Sequence, residues 1–148
     1  MIIYNITEPK INSFIMPAII LVLLIAFLIS FIGIMYYMKN TRLIFNEKYL
    51  TIKALFYGKT ISLEKINVNK IRNLNLYNNK EYDVKGRTSG ISFPNYHAGW
   101  MKLNNGNKSL VFLTDKTNVI LIPTYDYDIL FSTKDFDKIK KLLSKTKH

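Results

Sequence analysis

"KSLVFLTDKTNVILIPTYDYDILFSTKDFDKIKKLLSKTKH" (residues 108–148) changes its apolar spacing once, and that change sets the fold. "KSLVFLT", "NVILIP" and "YDILFS" are short β-branched and aromatic runs, divided by turn signals at Asp115-Lys116 and Pro123-Thr124. After them Phe136, Ile139, Leu142 and Leu143 recur at helical spacing and make one apolar stripe. Ser132, with Asp135 following it, is the expected N-cap of a helix over about 133–145. Lys138, Lys140 and Lys141 fall opposite the stripe, and Lys145 and Lys147 suit the negative helix end. Strands followed by one amphipathic helix predict a mainly β domain with a C-terminal α-helix packed on it.

Working back, turn signals at Asn104-Asn105-Gly106 separate this part from "GWMKL" and "YDVKGR", two further strands. "RLIFNEKYLTIKALFYGKTISLEKI" (residues 42–66) reads as three strands, with turns at Asn46-Glu47 and Gly58-Lys59. Within it Tyr49, Thr51 and Lys53 alternate with Leu50, Ile52 and Ala54, the period of a half-buried strand. "SLEKINVNKI" is a short helical or extended connection, and Ile71, Leu74 and Leu76 after it are expected in the core. About seven short strands in this space predict a small barrel or sandwich over residues 41–145.

The front of the chain has another character. From Ile11 to Met38 there is no charged side chain. About 20 apolar residues in a helix cross a bilayer core of roughly 30 Å, so residues 14–38 are long enough to span. Pro17 is expected in the first turn, and Tyr36 and Tyr37 at the interface, followed by Lys39 and Arg42. A cleaved leader would have a shorter apolar run, a more basic start and smaller residues than Ile34-Met35-Tyr36. Only Lys10 and the amino terminus are positive before the segment, with Glu8 beside them; Lys39, Arg42, Lys48 and Lys53 follow it. The positive-inside rule leaves residues 1–13 outside and the β-domain in the cytoplasm, at the cell membrane.

The chain carries 21 Lys and Arg against 10 Asp and Glu, a net charge of +11. Only Arg42, Arg72 and Arg87 are arginines, whereas bidentate phosphate recognition favours Arg. Ile, Asn and Lys are enriched together, a compositional bias, so no nucleic-acid partner is expected. Beside an apolar segment the same charge suits anionic lipid headgroups, with Lys39, Arg42, Lys48, Lys53 and Lys59 as the contacts. There is no cysteine, and His97 and His148 make no zinc-spaced pair, so neither metal nor cofactor is expected.

"GRTSGISFPNYHAGWMK" (residues 86–102) concentrates an arginine, a histidine, three glycines and the sole tryptophan. Gly86, Gly90 and Gly99 suit turns, bulges or close backbone approach in a curved sheet. Phe93 and Trp100 suit the barrel or its rim, and Arg87 a carboxylate such as Asp83 or Asp128. The stretch reads first as a structural corner; if it holds a binding site, Arg87, Tyr96 and His97 are its members. Asp126 and Asp128, two apart on a strand, would share one face, commonly as a solvated acidic pair. With no phosphate loop, metal-ligand cluster or nucleophile elbow, catalysis is not expected.

A β-domain closed by one amphipathic helix is also the outline of pleckstrin-homology-like folds. The chain resembles a bacterial family of PH-like domains, often tethered to a membrane helix, through Arg87-Thr88-Ser89-Gly90, Gly99-Trp100 and residues 110–143. That resemblance implies the fold, and a role in binding or scaffolding at a membrane. The basic first-hairpin loop with which eukaryotic relatives grip phosphoinositides is here "FNEKYL", where Lys48 stands beside Glu47, so that ligand does not carry over. Two other readings stand beside it. One is a structural subunit of a larger membrane complex, recognised by another membrane protein through the small-residue pair Ala26 and Ser30; the other is a small-molecule sensor or enzyme using the Arg87–His97 region.

Overall fold

The computed structural model describes residues 12–145, apart from the side chains of residues 12, 13 and 37–39. The readings made for residues 1–11, Lys147, His148 and the side chains of Tyr37 and Lys39 therefore lie outside the described residues. The chain divides into two compact units between Asn40 and Thr41.

The first unit holds α1 (Asn12–Lys39), apolar on every side. Its stretch Phe14–Tyr36 is long and apolar enough to cross a membrane, and its apolar window is not buried. The helix begins earlier than expected, so Pro17 falls inside it and not in its first turn. The proline ring forgoes the bond to the Ser13 carbonyl there.

The second unit begins with three antiparallel strands, β1 (Arg42–Phe45), β2 (Tyr49–Lys53) and β3 (Lys59–Ser62). The Asn46 side chain closes the first turn, its Oδ1 accepting from the Glu47 N–H at 2.7 Å. The second connection is longer than the expected Gly58-Lys59 turn. Lys59 is already in β3, and residues 54–58 form a loop in which Tyr57 takes the left-handed conformation, φ 65°. Two 3-10 turns, Leu63–Lys65 and Val68–Lys70, make the irregular connection.

The larger sheet contains β4 (Arg72–Leu74), β5 (Val84–Phe93), β6 (Tyr96–Leu103), β7 (Lys108–Leu113), β8 (Val119–Pro123) and β9 (Asp128–Ser132). Their order is β4-β8-β9-β7-β6-β5, antiparallel except where β9 slots in parallel to β7. Helix α2 (Phe136–Lys145) follows.

Strand periodicity explains the dense apolar runs of β7, β8 and β9. Leu110, Phe112, Ile120, Ile122 and Ile129 face one cluster, which also takes Leu50, Ile52 and Ile61 from the small sheet and Ile139 and Leu143 from α2. Val111, Leu113, Val119, Leu121 and Leu130 face the opposite way, into a second cluster with Leu76, Met101 and Leu103. Both faces of the sheet centre are thus covered, and each fully buried Leu or Ile contributes about 1.5–3 kcal/mol. Ile71, Leu74 and Leu76 are buried as expected.

Two local expectations are corrected. Ser132 is the last residue of β9 and not a helix cap. Its Oγ accepts from the N–H groups of Thr114 and Asp115, both at 3.1 Å, and donates to the Asp115 carbonyl, so it staples the β7–β8 turn. The helix starts three residues later than expected, where the Asp135 carbonyl accepts from the Ile139 N–H. Its stripe is narrower as well: Ile139 and Leu143 are buried, Phe136 half-buried and Leu142 largely exposed.

Residues 86–102, read as a corner, are the two arms of one long hairpin. Pro94 and Asn95 make its turn, with Asn95 at φ 64°. The arms pair from Val84↔Leu103 to Phe93↔Tyr96, with register shifts between Val84 and Gly86 and between Arg87 and Ser89. Gly90 and Gly99 face each other across the arms, and a Cβ on Gly90 would lie 2.6 Å from the Ala98 carbonyl oxygen.

Candidate functional site

The residues singled out in this hairpin do not converge. Arg87 is exposed on β5 opposite Met101, four residues along β6 from His97, a span of roughly 13 Å at strand rise. Neither proposed carboxylate serves it: Asp83 binds Lys116 at 2.9 Å, and Asp128 faces Arg72 and the Asn107 side chain. Tyr96 and His97, adjacent on β6, point to opposite faces. Tyr96 packs on the first core cluster, and its hydroxyl is hydrogen-bonded to Thr41. Burial raises the Tyr96 pKa, with the Thr41 bond pulling the other way. Phe93, its cross-strand partner, is exposed, and Trp100 is half-buried.

His97 lines a hollow of about 290 Å³ with Tyr77, Asn95, Leu113, Thr114, Asp115 and Lys116. Ser92, its register partner, lies with Oγ 2.9 Å from His97 Nδ1. The sequence signal for this Ser–His contact was the Pro94-Asn95 turn, which sets the two residues opposite each other. Burial lowers the His97 pKa, Lys116 lowers it further, and Asp83 partly offsets both. The ring is therefore a neutral hydrogen-bonding group at pH 7. Asp115 is held by Thr117 and Asn118, bonds that keep its carboxyl below the usual range. Asp83 is tied to Lys116 and Asp115 to its own turn, so neither of these neighbouring carboxylates is hydrogen-bonded to the imidazole. Among the described residues no group of three or more His, Asp or Glu gathers at one point. Asp126, outside β9, pairs with Lys65 at 3.3 Å, apart from half-buried Asp128.

A second region forms at one end of the small sheet. Arg42 begins β1 and faces Lys53, which ends β2, while Lys59 begins β3 opposite Ile52. Three of the five basic residues proposed as lipid contacts therefore share this end but not one face: Arg42 and Lys53 pair on the outer face, whereas Lys59, opposite buried Ile52, is on the face turned to the core. Lys48 sits at the far end, in the β1–β2 turn. The Lys59 ammonium lies 4.9 Å from the Trp100 ring centre and 4.6 Å from that of Tyr127, and Lys108 approaches Trp100 at 5.1 Å. Trp100 and Tyr127 pack edge to face at 4.8 Å. Sequence reasoning named Lys59 from its nearness to α1 and missed its aromatic seat, which is made by Trp100 of β6 and by Tyr127 just before β9. A shallow groove of about 480 Å³ runs beside α2, lined by Val68, Asn69, Asp137, Lys140, Lys141 and Ser144.

Neither a curated protein nor a solved structure matches the chain. The family model described as a bacterial PH domain matches residues 41–147, which is all of the second unit but its last residue. Together with nine strands closed by a C-terminal helix among the described residues, this establishes that the chain belongs to the bacterial PH domain family.

Proposed function

We propose that the chain is a single-pass membrane protein whose PH domain works at the cytoplasmic face of the cell membrane, as a binding and scaffolding module for anionic lipid headgroups or another membrane protein. The observation that carries this reading is the pairing of Arg42 and Lys53 on the outer face at one end of the small sheet. Only two residues, Asn40 and Thr41, separate Arg42 in the chain from the last residue of α1. Each lysine or arginine held near an anionic surface contributes about 1 kcal/mol. PH-like domains are generally non-catalytic, which favours a binding role, and the cytoplasmic side follows from the charge contrast across α1.

The test is extraction. Full-length protein in its host membranes is washed with alkaline carbonate and then floated on a density gradient. Retention in the floating lipid fraction is expected, and release of the intact chain into the wash contradicts the reading.

A further inference from the structure

We propose that the β2–β3 loop is a membrane wedge: Leu55 and Phe56 enter the headgroup layer of an anionic bilayer, and Arg42 and Lys53 contact lipid phosphates beside them. This rests on the proposed membrane tether and adds the point of contact.

Leu55 and Phe56 are 46% and 48% exposed, two consecutive large apolar side chains at a loop tip. A single exposed apolar residue is ordinary, but an adjacent pair rimmed by cations has the chemistry of an interfacial contact. Lys53 leads into the loop, and Arg42 stands across from it on the same outer face. Between Thr41 and Leu63 the sole acidic residue is Glu47, which lies in the β1–β2 turn at the opposite end of the sheet. Nothing acidic within this segment therefore offsets the basic rim.

The loop is also built to hold these side chains out. Tyr57 turns the backbone through its left-handed conformation and sends its half-buried ring back against Gly99 and the core. Gly58 is crowded by the Ile52 carbonyl, 3.1 Å from where a Cβ would stand. The Phe56 ring stays 6.4 Å from that of Tyr57, tilted, without following it inward. Pinned behind its tip, the loop presents Leu55 and Phe56 without a large ordering cost on insertion.

The experiment uses the full chain in proteoliposomes, with Phe56→Trp and Leu55→Trp made separately and the native Trp100 signal as baseline. Lipids brominated near the headgroup end of the acyl chains serve as quencher, in anionic and in neutral vesicles. Both new tryptophans are expected to emit at shorter wavelength than in water and to be quenched about two-fold or more beyond the wild-type baseline in anionic vesicles. Arg42→Glu combined with Lys53→Glu, neither of which touches Trp100, should return the quenching to baseline. Equal quenching in neutral vesicles overturns the recognition of anionic lipid. If both tryptophans emit as in water while the chain resists carbonate, the wedge is wrong and the tether stands; release by carbonate removes both.

Discussion

The ring of Tyr57 rests against Gly99, so close that a Cβ on that glycine would lie 2.9 Å from the ring carbon Cδ2. The contact locks the β2–β3 loop onto β6, and it works because Gly99 has no side chain and holds φ 108°. The same absent Cβ would fall 2.8 Å from both the Gly90 Cα and the Ser89 carbonyl oxygen. Gly99→Ala must therefore strain the backbone and push three neighbours at once. It should destabilise the domain by about 3 kcal/mol or more, read from denaturant unfolding, because strain and overpacking add. An unchanged midpoint would mean that the hairpin arms are not packed this closely.

His97 provides a test by pH. Its pKa lies below the ordinary 6.5, first through burial and then through Lys116. When the folded state holds a histidine below its unfolded pKa, stability is complete above the unfolded value and falls as pH drops through the window beneath it. Wild-type protein should lose stability through this residue as pH falls below its ordinary 6.5, and His97→Gln should lose less. Lys116→Gln removes a cation and frees Asp83, and both changes raise the pKa. The His97 ring resonance should then titrate at higher pH than in wild type, by NMR.

Ser132 and Asp135 separate two accounts of how α2 begins. As a staple, Ser132 satisfies two backbone N–H groups of the β7–β8 turn, and Ser132→Ala orphans both, costing about 2 kcal/mol or more. Asp135→Ala touches only the helix start and an exposed pair with Lys138, so its effect should stay near 1 kcal/mol or below. The reverse ranking in thermal unfolding would restore Ser132 as the cap.

Ser109 is fully buried in β7, and its hydroxyl has no hydrogen-bond partner among the described residues. Removing an unsatisfied buried hydroxyl should cost nothing. Ser109→Ala is expected to be neutral or stabilising by up to about 1 kcal/mol, and a loss of that size in calorimetry would reveal a partner for the hydroxyl.

Much of the architecture was legible because it rests on periodicity. The alternation of Leu50 and Ile52, the apolar runs of β7 to β9 and the stripe through Ile139 and Leu143 each mark a buried face without tertiary knowledge. What failed was local punctuation. Ser132 resembles a cap because a Ser-x-x-Asp pattern is chemically suited to one, yet the β7–β8 turn claims its hydroxyl first. The Pro94-Asn95 turn was passed over for the glycines around it, and with it the register that sets Ser92 against His97. The candidate site was less legible still. Arg87, Tyr96 and His97 are close in sequence but divided between two strands and two faces, while the seat of Lys59 on Trp100 and Tyr127 joins residues distant in the chain.

The absence of cysteine makes the central claim directly testable. Asn5→Cys and Ser144→Cys, one at a time in the full chain, are probed in intact bacterial cells with a maleimide that cannot cross the inner membrane. A membrane-tethered PH domain facing the cytoplasm predicts labelling of the cysteine at 5 in intact cells, and of that at 144 only after the membrane is opened. Labelling of position 144 in intact cells, or recovery of both variants as soluble protein, would contradict the account.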